Sequence, residues 1–189
     1  MRLSPAELAR HARAWPESDG VVRRMLELLE GPGEPFSRRH LAPGHFTASA
    51  FVLCPERRRV LLVHHQKLGR WLQPGGHIEL GDLDLVAAAR REVAEETGVV
   101  VGPELGSGVF DVDIHSIQAS PKDGAHLHFD VRYAFVAERT ELVPSPEVLG
   151  ARWVDLGAVS CLTGERSVLR CIERLLAFAP PAAGSVPSA

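Results

Sequence analysis

GGHIELGDLDLVAAARREVAEETGV, residues 75–99, is the stretch whose reading decides the fold. A Gly-Gly pair opens it, Asp84 is placed to cap a helix, and Gly98 is placed to end one. At about 100° per residue, Glu92, Glu95 and Glu96 fall within an arc of roughly 100° on that helix, so three carboxylates share one face. Glu92 and Glu96 repel as an i,i+4 pair, and all three acids sit towards the negative end of the helix dipole. A divalent cation would remove both penalties. Val86, Ala89 and Val93 supply an apolar stripe to anchor the helix on a sheet, and Ala88 leaves the acidic face uncluttered. The same residues are also good helix formers for a solvated face, with Arg90 and Arg91 offsetting the acids. The flanking glycines and strand pattern favour the metal site.

Upstream, residues 47–53 and 60–65 are β-branched, apolar runs joined by the polar turn Pro55-Glu56-Arg57-Arg58-Arg59, which predicts a hairpin. Downstream, residues 109–117 and 127–136 flank Ser120-Pro121-Lys122-Asp123-Gly124, a second hairpin loop. Leu127, Phe129, Val131, Tyr133 and Phe135 alternate with His126, His128, Asp130, Arg132 and Ala134, predicting one core face and one polar face that looks outward or into a cleft. A short strand over 148–154 precedes a helix striped by Val168, Leu169, Ile172, Leu175 and Leu176. Hairpins with few crossovers predict an α+β fold with a mixed or antiparallel sheet.

At the start, Ser4, Pro5 and Glu7 form a capping box with a proline at the first helical position, and Leu3 with Leu8 a hydrophobic staple. Ser18 or Asp19 can cap a second helix carrying Val22, Met25, Leu26 and Leu29. Residues 1–44 therefore read as a helical extension and connector, 45–179 as the main domain and 180–189 as a loose tail. The helical pair has three open roles: covering a cleft, forming a homodimer or bracing the sheet. In the connector, Arg38, Arg39 and His40 read as a solvated turn before a phosphate site.

The 189 residues suit one domain with a real core. A net charge of -3 and 45% hydrophobic residues give no electrostatic reason for a nucleic-acid or membrane partner. The N-terminus lacks an apolar signal core and no run approaches the ~20 apolar residues of a membrane span, so the cytoplasm is the expected location. Cys54, Cys161 and Cys171 have no CxxC spacing and read as structural thiols.

Residues 76–99 resemble the signature of the Nudix hydrolases. Arg91, Glu92, Val93, Glu95, Glu96, Gly98 and Val99 match its second half, whereas Asp82 replaces a glutamate and eight residues instead of seven separate it from Arg91. Trp71-Leu72-Gln73-Pro74 and Ala151-Arg152-Trp153-Val154 also resemble the family, so the likeness covers about residues 45–178. It implies a Nudix-like α/β/α sandwich with a mixed sheet, and hydrolysis of a pyrophosphate linkage in a nucleoside diphosphate derivative.

The resemblance further implies Mg2+, with Mn2+ as substitute, held by Glu92, Glu96 and the Gly75 carbonyl, with Glu95 on a second ion. Hard oxygen donors suit such an ion. Arg91 is better placed to orient a glutamate than to touch substrate, and Glu95 or Glu147 is the candidate general base, Glu95 first. Trp71 either stacks a base or packs in the core, and His126, His128 and Arg132 become substrate contacts if their face lines the cleft. His126 and His128 with Asp130 could alternatively hold a transition metal. Two other functions compete: a non-catalytic nucleotide-sensing module, disfavoured by three intact acids, and an isoprenoid diphosphate isomerase, which would need a thiol such as Cys54 in the pocket.

Overall fold

The computed structural model describes residues 3–106 and 108–180. The tail expected over 180–189 lies outside these residues apart from Pro180. The chain runs α1 (Pro5–Ala14), α2 (Asp19–Glu30), β1 (Gly44–Leu53), β2 (Arg59–His65), β3 (Arg70–Leu72), β4 (Gly75–His77), α3 (Leu85–Thr97), β5 (Val101–Glu104), β6 (Asp111–Ile117), β7 (His126–Ala137), β8 (Val148–Asp155) and α4 (Arg166–Leu175).

Local chemistry closes the helices. Ser4 Oγ accepts from the Glu7 N–H (3.2 Å) while the Glu7 carboxylate accepts from the Ser4 N–H (2.9 Å), the reciprocal capping box at the start of α1. Asp84 caps α3 by accepting from the Ala87 N–H at 2.8 Å, and Gly98 ends it at φ 71°, where a side chain would be strained. Ser18 does not cap α2, because its hydroxyl donates to the Trp15 carbonyl at 2.6 Å within a short 3-10 turn.

The fold is α+β: a mixed, eight-stranded sheet with helices on both faces. β1 is buried along its whole length and pairs in parallel with β7 from Gly44↔Leu127 to Leu53↔Val136. The hairpin expected from residues 47–65 is therefore reduced. β1 and β2 meet at Leu53↔Val60 and then diverge, β2 pairing with β3 and β8 while β1 takes β4 through Thr47↔His77 and Ser49↔Gly75. Pro74 stands at the step between β3 and β4, and its carbonyl accepts from the Ala50 N–H at 3.0 Å.

Phe46, Ala48, Ala50, Val52, Phe129, Val131 and Phe135 pack under α3, and α1 and α2 add Leu8, Val22, Met25 and Leu28 to that same core. The N-terminal pair thus braces the sheet. On the other face, Phe51, Leu62 and Ala134 pack against Val168, Cys171, Ile172 and Leu175 of α4. Among the described residues no helix is long and apolar enough to cross a membrane.

The polar face of β7 does not look outward. Arg132 is 2% exposed, with its guanidinium on Asp130 (2.8 Å), Asp111 (3.2 Å) and Asp113 (3.2 Å). Asp111 also receives Arg170 (2.8 Å) and Arg174 (2.5 Å), so one buried carboxylate joins β6, β7 and α4. Arg174 continues to Glu17 (2.7 Å), tying the N-terminal segment to the far face.

Candidate active site

α3 lies with its acidic face against the Gly75-Gly76 strand; Gly76 makes that approach possible, and Gly75 lets the same strand lie close against β1. A Cβ on Gly75 would stand 2.2 Å from Ser49 Cβ, and one on Gly76 would stand 2.7 Å from Glu92 Oε1. Glu96 Oε2 accepts from the Gly75 N–H at 3.0 Å, fastening the helix to β4. Ala88 and Ala89 are both fully buried, so Ala88 belongs to the packed interface and is more than a spacer on the acidic face.

Arg91 organises the site. Its guanidinium takes Asp82 at 3.0 and 2.9 Å, Glu92 at 3.0 Å, Glu95 at 2.8 Å and the His77 carbonyl at 2.9 Å. Five acceptors on one cation raise its already high pKa, the Asp82 bonds first among the causes. Asp82 also accepts from the Glu79 N–H at 2.8 Å, closing the turn that absorbs the additional residue before Asp84. Aspartate in place of glutamate therefore still reaches Arg91, through a forked ion pair.

Gly75, Gly76, Arg91, Glu92, Glu95 and Glu96 line a cleft of ≈ 510 Å³ together with Glu147, His77, His128, Arg38 and Lys67. Ser145 N–H donates to the Glu96 carbonyl at 3.1 Å, holding the Glu147 loop against the end of α3. Arg38, read from sequence as part of a solvated turn, and Lys67, which no motif marks, supply positive charge opposite the acids. Their signal is spatial, since residues 38, 67 and 92 are far apart in the chain.

Other residues that the sequence marks as candidates fall elsewhere. Trp71 does not line this cleft; its ring stacks on His64 at 5.0 Å and Arg152 covers it at 4.2 Å. Arg132 is consumed by the carboxylates beneath α4 and does not face the cleft. Asp130 is held by Arg132, Ser49 (2.8 Å) and Thr47 (3.1 Å), which removes it as a ligand partner for His126 and His128. His126 is buried, its Nδ1 2.7 Å from the Gly124 carbonyl, while His128 borders the cleft. Cys54 is fully buried and its Sγ accepts from the Arg59 N–H, so it places no thiol in the cleft.

A family model for the NUDIX domain matches residues 44–175. The chain belongs to the Nudix family. Its chemistry is that of a Nudix pyrophosphohydrolase. Among solved structures, a Nudix-family hydrolase from Clostridium perfringens is 24% identical, with a TM-score of 0.58 over 75% of this chain and 99% of that one. The Escherichia coli dihydroneopterin triphosphate pyrophosphohydrolase is 20% identical (TM-score 0.52; 71% and 96% covered). The NUDIX domain of Shewanella oneidensis NrtR, complexed with ADP ribose, is 21% identical (TM-score 0.54; 82% and 97% covered). These likenesses carry the Nudix fold. Comparison with curated proteins returns no match.

Burial drives the Glu96 pKa up to about 7, opposed by the Gly75 N–H and reinforced by Glu92, Glu147 and Glu95. Burial also raises Glu92, with Arg91 opposing. A folded-state value above the ordinary one means that Glu96 stabilises the metal-free fold fully below about pH 4.5 and loses that contribution as pH rises through about 7. His77, lowered to about 4 by burial, and His128, lowered to about 2 by burial, work in the opposite sense and only below about pH 6.5. Between about pH 4.5 and 7, chelator-treated wild type should lose urea stability relative to Glu96→Gln with a slope approaching one proton, and the difference should level off above about pH 7, because the histidine contributions are common to both proteins. An unchanged slope in the variant would remove Glu96 as the titrating group.

Gly76→Ala gives a second expectation. The obstructed atoms are the mobile end of Glu92, so the fold should persist with an unchanged circular dichroism spectrum while the displaced carboxylate lowers kcat about a hundredfold. Wild-type kcat in this variant would show that the approach of Glu92 to β4 has no catalytic consequence.

Proposed function

We propose that this Nudix chain is a Mg2+-dependent hydrolase, with Mn2+ as substitute, of the pyrophosphate linkage in a nucleoside diphosphate derivative. The observation that carries the reading is the meeting of half-buried Glu92 and buried Glu96 with Gly75-Gly76 in a cleft that also presents Arg38 and Lys67. The donors fit a hard ion: they are carboxylate oxygens, two of them raised in pKa by burial among like charges, and Mg2+ needs only a few such ligands because it keeps several waters. Glu92 and Glu96, with the Gly75 carbonyl, are assigned to one ion and Glu95 to another. A divalent cation held by these residues would supply positive charge against the diphosphate and its transition state and would lower the pKa of a water.

The chain's own residues do the rest. Arg91 is a positioning residue: it holds Glu92 and Glu95 in place and is itself oriented by Asp82. Arg38 and Lys67 attract and orient the anionic substrate. The general base is better assigned to Glu147 than to Glu95, because Glu95 is already paired with Arg91 whereas Glu147 borders the cleft and makes no ion pair among the described residues. His128 is retained as a contact on the cleft wall. The substrate is a small nucleotide derivative, with no nucleic acid or membrane required, and the cytoplasm is the proposed location. A homodimer stays an expectation without an assigned face.

Nucleoside triphosphates, dinucleoside polyphosphates, nucleotide sugars and ADP-ribose, each incubated with protein and Mg2+ and resolved by product, test the proposal. Cleavage within a diphosphate linkage, abolished by chelator, is expected. Tight binding of a nucleotide with no product under Mg2+ or Mn2+ would replace the hydrolase with the sensing module.

A further inference from the structure

Beside the carboxylates, the strand register assembles imidazoles. β6, β7 and β1 place His115↔His128 and His128↔His45 directly opposite one another, and β4 brings His77 against Thr47, two residues beyond His45 on the same face. The rings of His45, His77 and His128 lie 4.8–5.1 Å apart, and His126 stands 5.0 Å from His45. Among the described residues, the acids, histidines and cysteines whose ligand atoms all fall within 4.8 Å of one another are His45, His77 and His128, and not the glutamates of α3.

Hydrogen bonding prepares this group for a cation. His45 Nδ1 lies 3.1 Å from the His40 carbonyl, which can only accept, so Nδ1 carries the ring proton and Nε2 keeps its lone pair. His45 is 1% exposed, and its Nε2 is buried with no partner among the described residues. His128 Nε2 is buried and unpartnered in the same way. Buried ring nitrogens without partners are costly. An N–H given to a backbone carbonyl, with the other nitrogen turned inward, is the arrangement that orients metal-binding histidines. Hydrogen-bond donors for an anion are not provided by lone pairs of this kind.

We propose that His45, His77 and His128 form a site for a borderline divalent transition ion, Zn2+ first, separate from the carboxylate site of α3. Three imidazoles leave the fourth position of a tetrahedral ion open, and His77 and His128 border the cleft, so that position faces the cleft and takes water or an oxygen of the bound anion. Bonds of about 2.0–2.1 Å require nitrogens about 3.4 Å apart, which small ring rotations supply from the observed spacing. The cleft thereby sorts cations by donor: hard ions to glutamate oxygen, borderline ions to imidazole nitrogen. The site stands on the imidazoles alone and does not depend on the hydrolase reading.

The test uses full-length protein without a histidine tag, stripped by chelator and titrated with Zn2+ and with Co2+ in millimolar Mg2+. One Zn2+ per chain is expected, together with the intense visible bands of four-coordinate Co2+. His77→Gln and His128→Gln, each with a wild-type circular dichroism spectrum, should lose more affinity than the ~10–100-fold that outer-shell partners are worth, while Glu96→Gln binds as wild type. Loss confined to Glu96→Gln, or unchanged binding in both histidine variants, would overturn the proposal. Should either histidine variant fail to fold, the wild-type Co2+ spectrum decides, since weak six-coordinate bands would place the ion on carboxylates.

Discussion

Glu96→Gln should lower kcat by about 10²–10³-fold at pH 8 while leaving the fold intact, the order of effect expected when one preorganised electrostatic partner of the transition state is removed. Glu96 is 8% exposed and already fastened to Gly75 by one oxygen, so glutamine keeps the size of the side chain and can keep an oxygen on that N–H. What it loses is the charge. Burial among Glu92, Glu95 and Glu147 makes the ionised form unfavourable without a cation, and neutralising the side chain should make the metal-free protein slightly more stable at pH 8. Activity and stability therefore move in opposite directions. A variant that was both less active and less stable would point to a structural role instead.

Asp111→Asn should destabilise the protein by about 3–5 kcal/mol in urea denaturation, the range for removing one partner of a buried ion pair. Asparagine matches the shape of aspartate, so no cavity complicates the result. Asp111 is fully buried and is shared by Arg132, Arg170 and Arg174. Removing its charge leaves Arg132 and Arg174, both almost completely buried, with an excess of positive charge that Asp130, Asp113 and Glu17 only partly offset. Arg70→Ala, which breaks an exposed pair with Glu165, should cost no more than about 1 kcal/mol and serves as the comparison. Because Asp111 does not line the cleft, kcat of the folded Asp111→Asn fraction should be unchanged.

The parts of the site that lie within one helix are legible in the sequence. Asp84, Gly98 and the shared face of Glu92, Glu95 and Glu96 follow from local periodicity and capping, which depend only on neighbours in the chain. The partner of Arg91 is not legible. Asp82 is nine residues away across a loop whose path is set by the Glu79 N–H, and no periodicity describes such a turn.

The sheet shows the same division. β1, β2, β6, β7 and β8 announce themselves as apolar runs, whereas β3, β4 and β5, three or four residues each, are too short to display a period. β7 shows why alternation alone misleads. Its polar residues alternate as on an exposed face, yet Asp111 and Asp113 of β6 pair with Arg132, and Arg170 and Arg174 of α4 pair with Asp111, so the Asp130 and Arg132 end of that face is buried too. Alternation consequently points Arg132 at substrate, and the fold commits it to a structural network. Trp71 shows a similar limit, since its neighbours His64 and Arg152 come from other strands.

Mn2+ titration of metal-free, tag-free protein at pH 8, with a non-hydrolysable nucleoside diphosphate analogue present and the free ion followed by electron paramagnetic resonance, tests the assignment of the α3 carboxylates most directly. Wild type and His128→Gln should bind Mn2+ with similar affinity, and Glu92→Gln and Glu96→Gln should bind it far more weakly. Equal Mn2+ binding by Glu96→Gln and wild type would contradict the placement of the catalytic cation on this helix.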